Sequence, residues 1–239
     1  WKIMSKNKIA FQGEKGAYSH IACEELYKDP EIKNCVTFEE TFKTAFEDES
    51  YEIIIPLENS LAGRVADIHY LLPKYKLQIY AEHFQAVEHS LLIKPEATLK
   101  DIKYIRSHAQ AISQCQKIIK KNKFKTIVSA DTAGSAKDLA SGNDISIAAI
   151  ASELSAKIYN LKNLKKNIED EKGNVTRFLI MGKPIKQPEF KKEKKFITSC
   201  IFRLKSTPSA LYKCLGGFAT NQINLTKLES FSVKNTFDQ

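Results

Sequence analysis

In this chain of 239 residues, small polar clusters follow several short apolar runs, and their residue types suit one task, the holding of an anion. Gly13, Glu14, Lys15 and Gly16 follow Ile9 to Phe11, and Glu58, Asn59 and Ser60 follow Tyr51 to Ile55. Arg106, Ser107, His108, Ala109 and Gln110 follow Ile102 to Ile105, while Asp131 and Thr132 follow Thr126 to Ser129. In an open α/β fold the carboxyl ends of the strands lie together, and bare amides at helix starts there make an anion site. That geometry asks for a small, negatively charged ligand.

The clusters differ in how much they explain without a ligand. A helix cap needs one short polar residue, so Glu58, Asn59 and Ser60 in a row exceed that need. Ser107 and Gln110 have the spacing of a capping box, which accounts for both without a ligand, whereas Gln114 one turn further is left over. Asp131 and Thr132 are both cap candidates. In Asn174 to Met181, strand alternation puts Val175, Arg177, Leu179 and Met181 on one face and Thr176, Phe178 and Ile180 on the other. An arginine among apolar strand residues costs on the order of several kcal/mol unless it meets an anion. Arg177 is therefore either paired to an internal carboxylate or aimed at a ligand. Arginine is scarce here (Arg64, Arg106, Arg177 and Arg203), and its planar fork binds carboxylates as lysine cannot.

The elements that must position these residues read as repeated strand, loop and helix. Helices are expected over Tyr18 to Lys28; after Ser60, with Leu61, Val65, Ile68 and Leu72 on the apolar side; and after Gln110, with Ile112, Cys115, Ile118 and Ile119 inward. Two more are expected over Ala133 to Ala140, stopping at Gly142, and over Ala151 to Tyr159 after a strand at Asp144 to Ala149. Pro56 is read as closing the strand that starts at Tyr51. Such alternation predicts parallel sheet with right-handed crossovers. Residues 183–195, rich in Pro and Lys, read as a linker. Beyond it, a strand at Phe196 to Leu204, a helix at Ser209 to Ala219 and a strand at Leu225 to Phe231 form the start of a second, smaller βαβ unit.

Composition excludes several classes. With 43% hydrophobic and 27% charged residues, the chain reads as an ordinary globular protein. It has no apolar stretch of about 18 residues and no apolar leader before Ile9, so a cytoplasmic protein without a membrane span is expected. The net charge of +9 comes from lysines spread over helix faces and the run Lys191, Lys192, Lys194 and Lys195. They lack aromatic interleaving, so nucleic acid is not the expected partner. Five scattered cysteines lack any CxxC spacing and read as buried thiols. The five histidines show no metal-binding pairing, so no metal is expected.

Four segments carry a resemblance to the prephenate dehydratase family. Phe11, Gln12, Gly13 to Gly16, Ala17, Tyr18 and Ser19 resemble its opening glycine loop. Glu58, Asn59, Ser60, Gly63 and Val65 match its ENSxxGxV segment. Ser107, His108, Ala109, Gln110, Ala111, Gln114 and Cys115 match SHPQALxQC, with alanine in place of proline. Thr176, Arg177 and Phe178 form the TRF signature, with Asn174 in its usual place. Beyond residue 195 the chain is similar to the start of an ACT domain. There Ser209, Ala210 and Leu211 stand where the family has Gly, Ala and Leu. Glu229 and Ser230 begin the ESRP motif, which continues here as Phe231 and Ser232.

The resemblance implies a two-lobed α/β catalytic domain over 8–182, like the periplasmic binding proteins. One lobe would comprise about 8–82 plus 174–182 and the other about 83–173, followed by a partial ferredoxin-like ACT domain over 196–239. It implies decarboxylative dehydration of the dianion prephenate to phenylpyruvate without a cofactor, because aromatisation drives the reaction. Thr176 would donate to the leaving hydroxyl. Arg177, Asn59, Ser60, Ser107, Gln110, Gln114 and Thr132 would bind substrate, with Glu58 and Phe178 supporting. Ala210, Leu211, Glu229 and Ser230 would form a site for an L-phenylalanine effector, and a homo-oligomer, dimer or tetramer, is implied. An arogenate dehydratase and a non-catalytic small-anion sensor of the same fold are the alternatives.

Overall fold

The computed structural model describes residues 8–65, 68–183, 192–193 and 195–230. The chain begins with β1 (Lys8–Gln12), α1 (Tyr18–Leu26), β2 (Glu31–Cys35), α2 (Phe38–Glu47), β3 (Tyr51–Asn59), β4 (Gly63–Arg64), α3 (Ile68–Tyr75) and β5 (Gln78–Ala86). It then crosses to a second sheet through β6 (Ser90–Ile93), β7 (Tyr104–His108), α4 (Ala109–Gln114), α5 (Gln116–Asn122), β8 (Lys125–Ser129), α6 (Thr132–Ser141), β9 (Ile147–Ala151), α7 (Glu153–Ile158) and β10 (Lys162–Lys165). It returns as β11 (Val175–Gly182), and α8 (Ala210–Thr220) follows.

The first sheet has strand order β2-β1-β3-β11-β5 with β4 beside β3, and the second β10-β6-β9-β7-β8. Each is built around parallel strands, as the alternation predicts, but both are mixed. The returning β11 is antiparallel to β3 and β5, and β6 is antiparallel to β9 and β10. An all-parallel sheet follows only if every strand enters after a crossover, and the two chain crossings between lobes enter from the opposite end.

Side-chain alternation along β11 sorts the first lobe into two cores. Phe178 and Ile180 pack with Phe11, Ile54, and Ala22 and Cys23 of α1. Leu179 and Met181 pack with Ile53, Ile55, Phe42 of α2, and Ile68 and Leu71 of α3. Phe42, like Phe11, is fully buried, which contributes about 2–3 kcal/mol each by area removed from water. In the second lobe, Ile105, Ile112, Cys115 and Ile150 form one core, and Leu92, Ala136, Leu139 and Ala149 the other.

Two local departures bear on the site. Pro56 does not end β3: the register against β11 shifts so that Phe178 faces Pro56 and Arg177 faces Glu58, leaving Leu57 as the extra residue. A proline lacks the ladder donor and is accommodated at such a bulge. The strand thus continues to Asn59. The helix expected directly after Ser60 is instead a tight turn, in which Asn59 Oδ1 accepts from the amides of Leu61 (3.0 Å) and Ala62 (2.9 Å). Gly63, at φ +79°, then leads back along β3, and the described helix α3 covers Ile68–Tyr75. The second departure splits the helix after Gln110 at Cys115, because Asp170 inserts there. Its amide donates to the Gln114 carbonyl at 2.7 Å, and its carboxylate accepts from the Lys117 amide at 3.0 Å. Both helix ends at the break are thereby satisfied.

Strands were expected at 196–204 and 225–231, yet the described residues 195–230 contain only the helix α8, with turns, bends and unassigned backbone on either side and no buried residue in the helix. A strand is stable only when its N–H and C=O groups find a ladder partner, and none is offered among the described residues. Of the expected βαβ unit, the described residues show the helix alone. Phe231, Ser232, Lys191, Lys194 and most of the linker segment lie outside the described residues.

Candidate active site at the lobe junction

The bulge in β3 places Asn59 directly opposite Thr176. Asn59 Nδ2 donates to Thr176 Oγ1 at 2.9 Å and to Asn174 Oδ1 at 2.6 Å. Because two backbone amides hold Asn59 Oδ1, the amide cannot be flipped without losing both, and the direction of these bonds is fixed. Thr176 Oγ1 therefore receives a hydrogen bond, and its own proton has no acceptor among the described residues. Asn174, 4% exposed, then crosses the lobe boundary and donates to Gln114 Oε1 of α4 at 3.0 Å. Ser60 secures the same corner, accepting from the Val175 amide at 2.9 Å and donating to the Gly173 carbonyl at 3.3 Å.

Arg177 points to the other face of the sheet. Its Nε and Nη2 reach Glu82 Oε2 at 2.8 and 2.7 Å, and Nη1 reaches Glu58 Oε1 at 3.0 Å. Of the two readings of this half-buried arginine, pairing to internal carboxylates is the one seen here. Glu58 also pairs with Lys227, which bonds Glu229 at 3.1 Å, and Glu229 meets His69 at 3.0 Å. Lys227, and after it Arg177, hold the Glu58 carboxyl below its ordinary range against the opposing effect of burial. The Ser230 carbonyl accepts from Arg64 at 3.2 Å, so Glu229 and Ser230 lie against the first lobe. Ala210 and Leu211 open α8.

The remaining predicted residues fall at the lobe junction or behind it. Ser107 is fully buried, and its hydroxyl donates to the Ile150 carbonyl at 2.6 Å. It fastens β7 to β9, and the expected capping box does not form: His108 Nδ1 accepts from the Gln110 amide at 3.3 Å instead. Asp131 caps α6 through the Gly134 amide at 2.6 Å, leaving Thr132 as the first helical residue. Gln110 and Gln114, with Ser113, Leu61, Ala62, Asp170 and Glu171, line an open groove of about 380 Å³ between the lobes. Phe178 is a core residue behind the site.

The glycine loop is not an open anion cradle. The Gly16 carbonyl accepts from the hydroxyls of Ser152 (2.6 Å) and Ser155 (3.1 Å), and its amide donates to His20 Nδ1 at 2.9 Å. Tyr159 adds a bond to the Lys15 carbonyl at 2.9 Å, and Lys137 pairs with Glu14 at 2.9 Å. The loop is the latch between lobes.

Sequence reasoning missed His89 and gave no role to Tyr18. His89 Nε2 lies 2.9 Å from Gln114 Oε1, and its Nδ1 lies 2.9 Å from the Tyr18 hydroxyl, which also donates to the Glu88 carbonyl at 2.7 Å. A lone histidine between Glu88 and Ser90 carries no spacing signal that could reveal such a link.

Two α/β lobes are joined by two crossings, and a threonine hydroxyl and the amide side chains of Asn59, Asn174 and Gln114 are linked by hydrogen bonds at their junction. The family model for prephenate dehydratase matches residues 9–186, and the chain belongs to that family. It is 40% identical over 230 residues to a bifunctional N-acyl-homoserine lactone acylase/prephenate dehydratase from Komagataeibacter europaeus, covering 96% of this chain and 81% of the relative. It is 38% identical over 226 residues to arogenate dehydratase/prephenate dehydratase 2, chloroplastic, from Arabidopsis thaliana, covering 95% of this chain and 59% of that protein. Among solved structures, a prephenate dehydratase in complex with L-Phe from Arthrobacter aurescens shares the fold with a TM-score of 0.81 at 23% identity, covering 96% of this chain and 77% of that one. Among the described residues, no helix is long and apolar enough to cross a membrane.

Proposed function

We propose that this chain converts prephenate to phenylpyruvate, water and carbon dioxide, with Thr176 as the catalytic residue. The observation that carries the reading is the bond from Asn59 Nδ2 to Thr176 Oγ1. A hydroxyl that accepts there must send its own proton elsewhere, and no described residue takes it. That proton is then available to the leaving hydroxyl of a substrate between the lobes. As the ring C–O bond breaks, the bond to the ring carboxylate breaks too, its electron pair restores aromaticity, and hydroxide leaves as water. Thr176 regains its proton from solvent. Threonine is a weak acid, so its contribution is oriented donation to a developing anion in a preorganised site.

Gln114, Gln110 and Thr132 are the proposed positioning groups for substrate, with Asn59 acting through Thr176. Ser60 and Ser107 support the strand ends through the backbone, and Glu58 orients Arg177. Glu229 and Ser230, with Ala210 and Leu211, remain the proposed site for an L-phenylalanine effector, supported by the docking of Glu229 on the first lobe. A homo-oligomer in the cytoplasm completes the reading. Several relatives are named arogenate dehydratases, and arogenate shares the reacting ring. Phenylpyruvate formation from prephenate, measured beside phenylalanine formation from arogenate, tests the function. The reading requires turnover of prephenate, and binding of the dianion without turnover would leave a sensor.

A further inference from the structure

We propose that His89 is a positioning residue that fixes the Gln114 side chain with its amide nitrogen toward the groove, making that nitrogen a donor for a substrate carboxylate. The proposal rests on the dehydratase reading for the identity of the substrate, and on geometry alone for the orientation. The chain of bonds has one consistent direction. The amides of Leu61 and Ala62 define Asn59 Oδ1, so Asn59 Nδ2 donates to Asn174 Oδ1. Asn174 Nδ2 then donates to Gln114, whose atom there must be oxygen. That same oxygen faces His89 Nε2 at 2.9 Å, which must therefore carry a proton.

With Oε1 held from two sides, Gln114 Nε2 has no acceptor among the described residues, and Gln114 lines the groove. An amide nitrogen suits a carboxylate or hydroxyl oxygen, whereas the flipped amide would present oxygen and repel an anion. The opposite histidine tautomer, protonated only at Nδ1, would place two acceptors against one another at Gln114. His89 is 2% exposed. It is faced by Tyr18 from α1, Gln114 from α4 and the Glu169 carboxylate, which accepts from the His89 amide at 3.0 Å. Burial, the largest influence, lowers its pKa, and the neutral ring with the proton on Nε2 is the neutral form that suits Gln114 Oε1. The Tyr18 hydroxyl can then donate to Nδ1 or to the Glu88 carbonyl, and both oxygen and nitrogen are in reach.

Nitrogen-15 NMR on histidine-labelled wild type, with His89 identified by its loss in His89→Gln, reads the tautomer directly. The expected result is a protonated Nε2 and a bare Nδ1; the reverse overturns the proposal. Steady-state kinetics on prephenate supply the second arm. His89→Ala should raise KM by about 10-fold, the scale of one hydrogen bond to a charged group, with kcat within about 2-fold because Asn59 still holds Thr176. His89→Gln, which can place an amide N–H near the Nε2 position, should recover most of the loss. An unchanged KM in His89→Ala, or a His89→Gln variant no better than His89→Ala, overturns the proposal. Wild type that leaves prephenate untouched defeats the dehydratase reading instead, and the nitrogen shifts still decide the tautomer if His89→Ala fails to fold.

Discussion

Asn59 Nδ2 and Thr176 Oγ1 stand 2.9 Å apart across the β3–β11 pair, and the asparagine is the donor. The relationship assigns the polarity of the site, since it leaves the threonine proton outward.

Asn59→Asp tests that polarity with almost no change of shape. A carboxylate at this position would accept from Thr176 and repel Asn174 Oδ1, turning the threonine proton inward. We expect kcat to fall by about 10²-fold, the lower end of what proton donation supplies, with a smaller change in KM. Unchanged kcat in steady-state assays would show that the direction of this bond is immaterial.

Arg177 is held by Glu58 and Glu82, so its loss should appear in stability before it appears in binding. Arg177→Lys replaces a fork by a point charge and should cost about 1–3 kcal/mol of unfolding free energy. The KM for prephenate should move by less than about 3-fold. Urea unfolding and kinetics on one preparation check both; a large KM rise at unchanged stability would restore direct substrate contact.

The same cluster sets an acid limit. The Glu58 carboxyl is lowered, by Lys227 first and then by Arg177, so it holds fewer protons in the folded than in the unfolded chain across the window between the two pKa values. Its stabilisation is fully present above its unfolded pKa of about 4.5 and is lost as pH falls through the folded value. Thermal unfolding from pH 6 downward should show a steeper loss in the wild type than in Glu58→Gln. Parallel curves would remove Glu58 from the acid response.

Gly16→Ala should separate the lobes. Gly16 has φ +94°, and an added Cβ would sit 2.9 Å from Ser155 Cα and closer still to its hydroxyl. Strain and overlap together are expected to cost about 2–4 kcal/mol, and limited proteolysis at the crossings near residues 87 and 170 should quicken. Wild-type thermal stability in this variant would contradict the latch.

Much of this arrangement is legible in the amino-acid order. Alternation alone separates Thr176 from Arg177, and the short apolar runs at β1, β3, β7, β8 and β9 stand out as strands. Other elements carry no such signal. β2, with the pattern Glu-Ile-Lys-Asn-Cys, buries only Cys35, and most of β5 is half-buried on both faces, so neither shows clean alternation. β6 has four buried residues, too few to tell a strand from a fragment of helix. The bulge at Leu57 decides that Asn59 meets Thr176, 117 positions away, and pairing at that separation is fixed by the sheet, not by local sequence. His89 and Asn174 gain their meaning only from the lobe junction. The strands expected beyond residue 195 are not seen among the described residues for the converse reason: local pattern proposes them, but no ladder partner is offered among those residues.

The most direct measurement is kcat for prephenate in purified Thr176→Ala and Thr176→Ser beside wild type. Thr176→Ala should lose about 10²-fold or more at matched unfolding temperature, while Thr176→Ser, which keeps the hydroxyl beside Asn59, should retain a substantial part of the rate. Turnover by Thr176→Ala close to that of wild type would contradict the assignment of this hydroxyl to the leaving group.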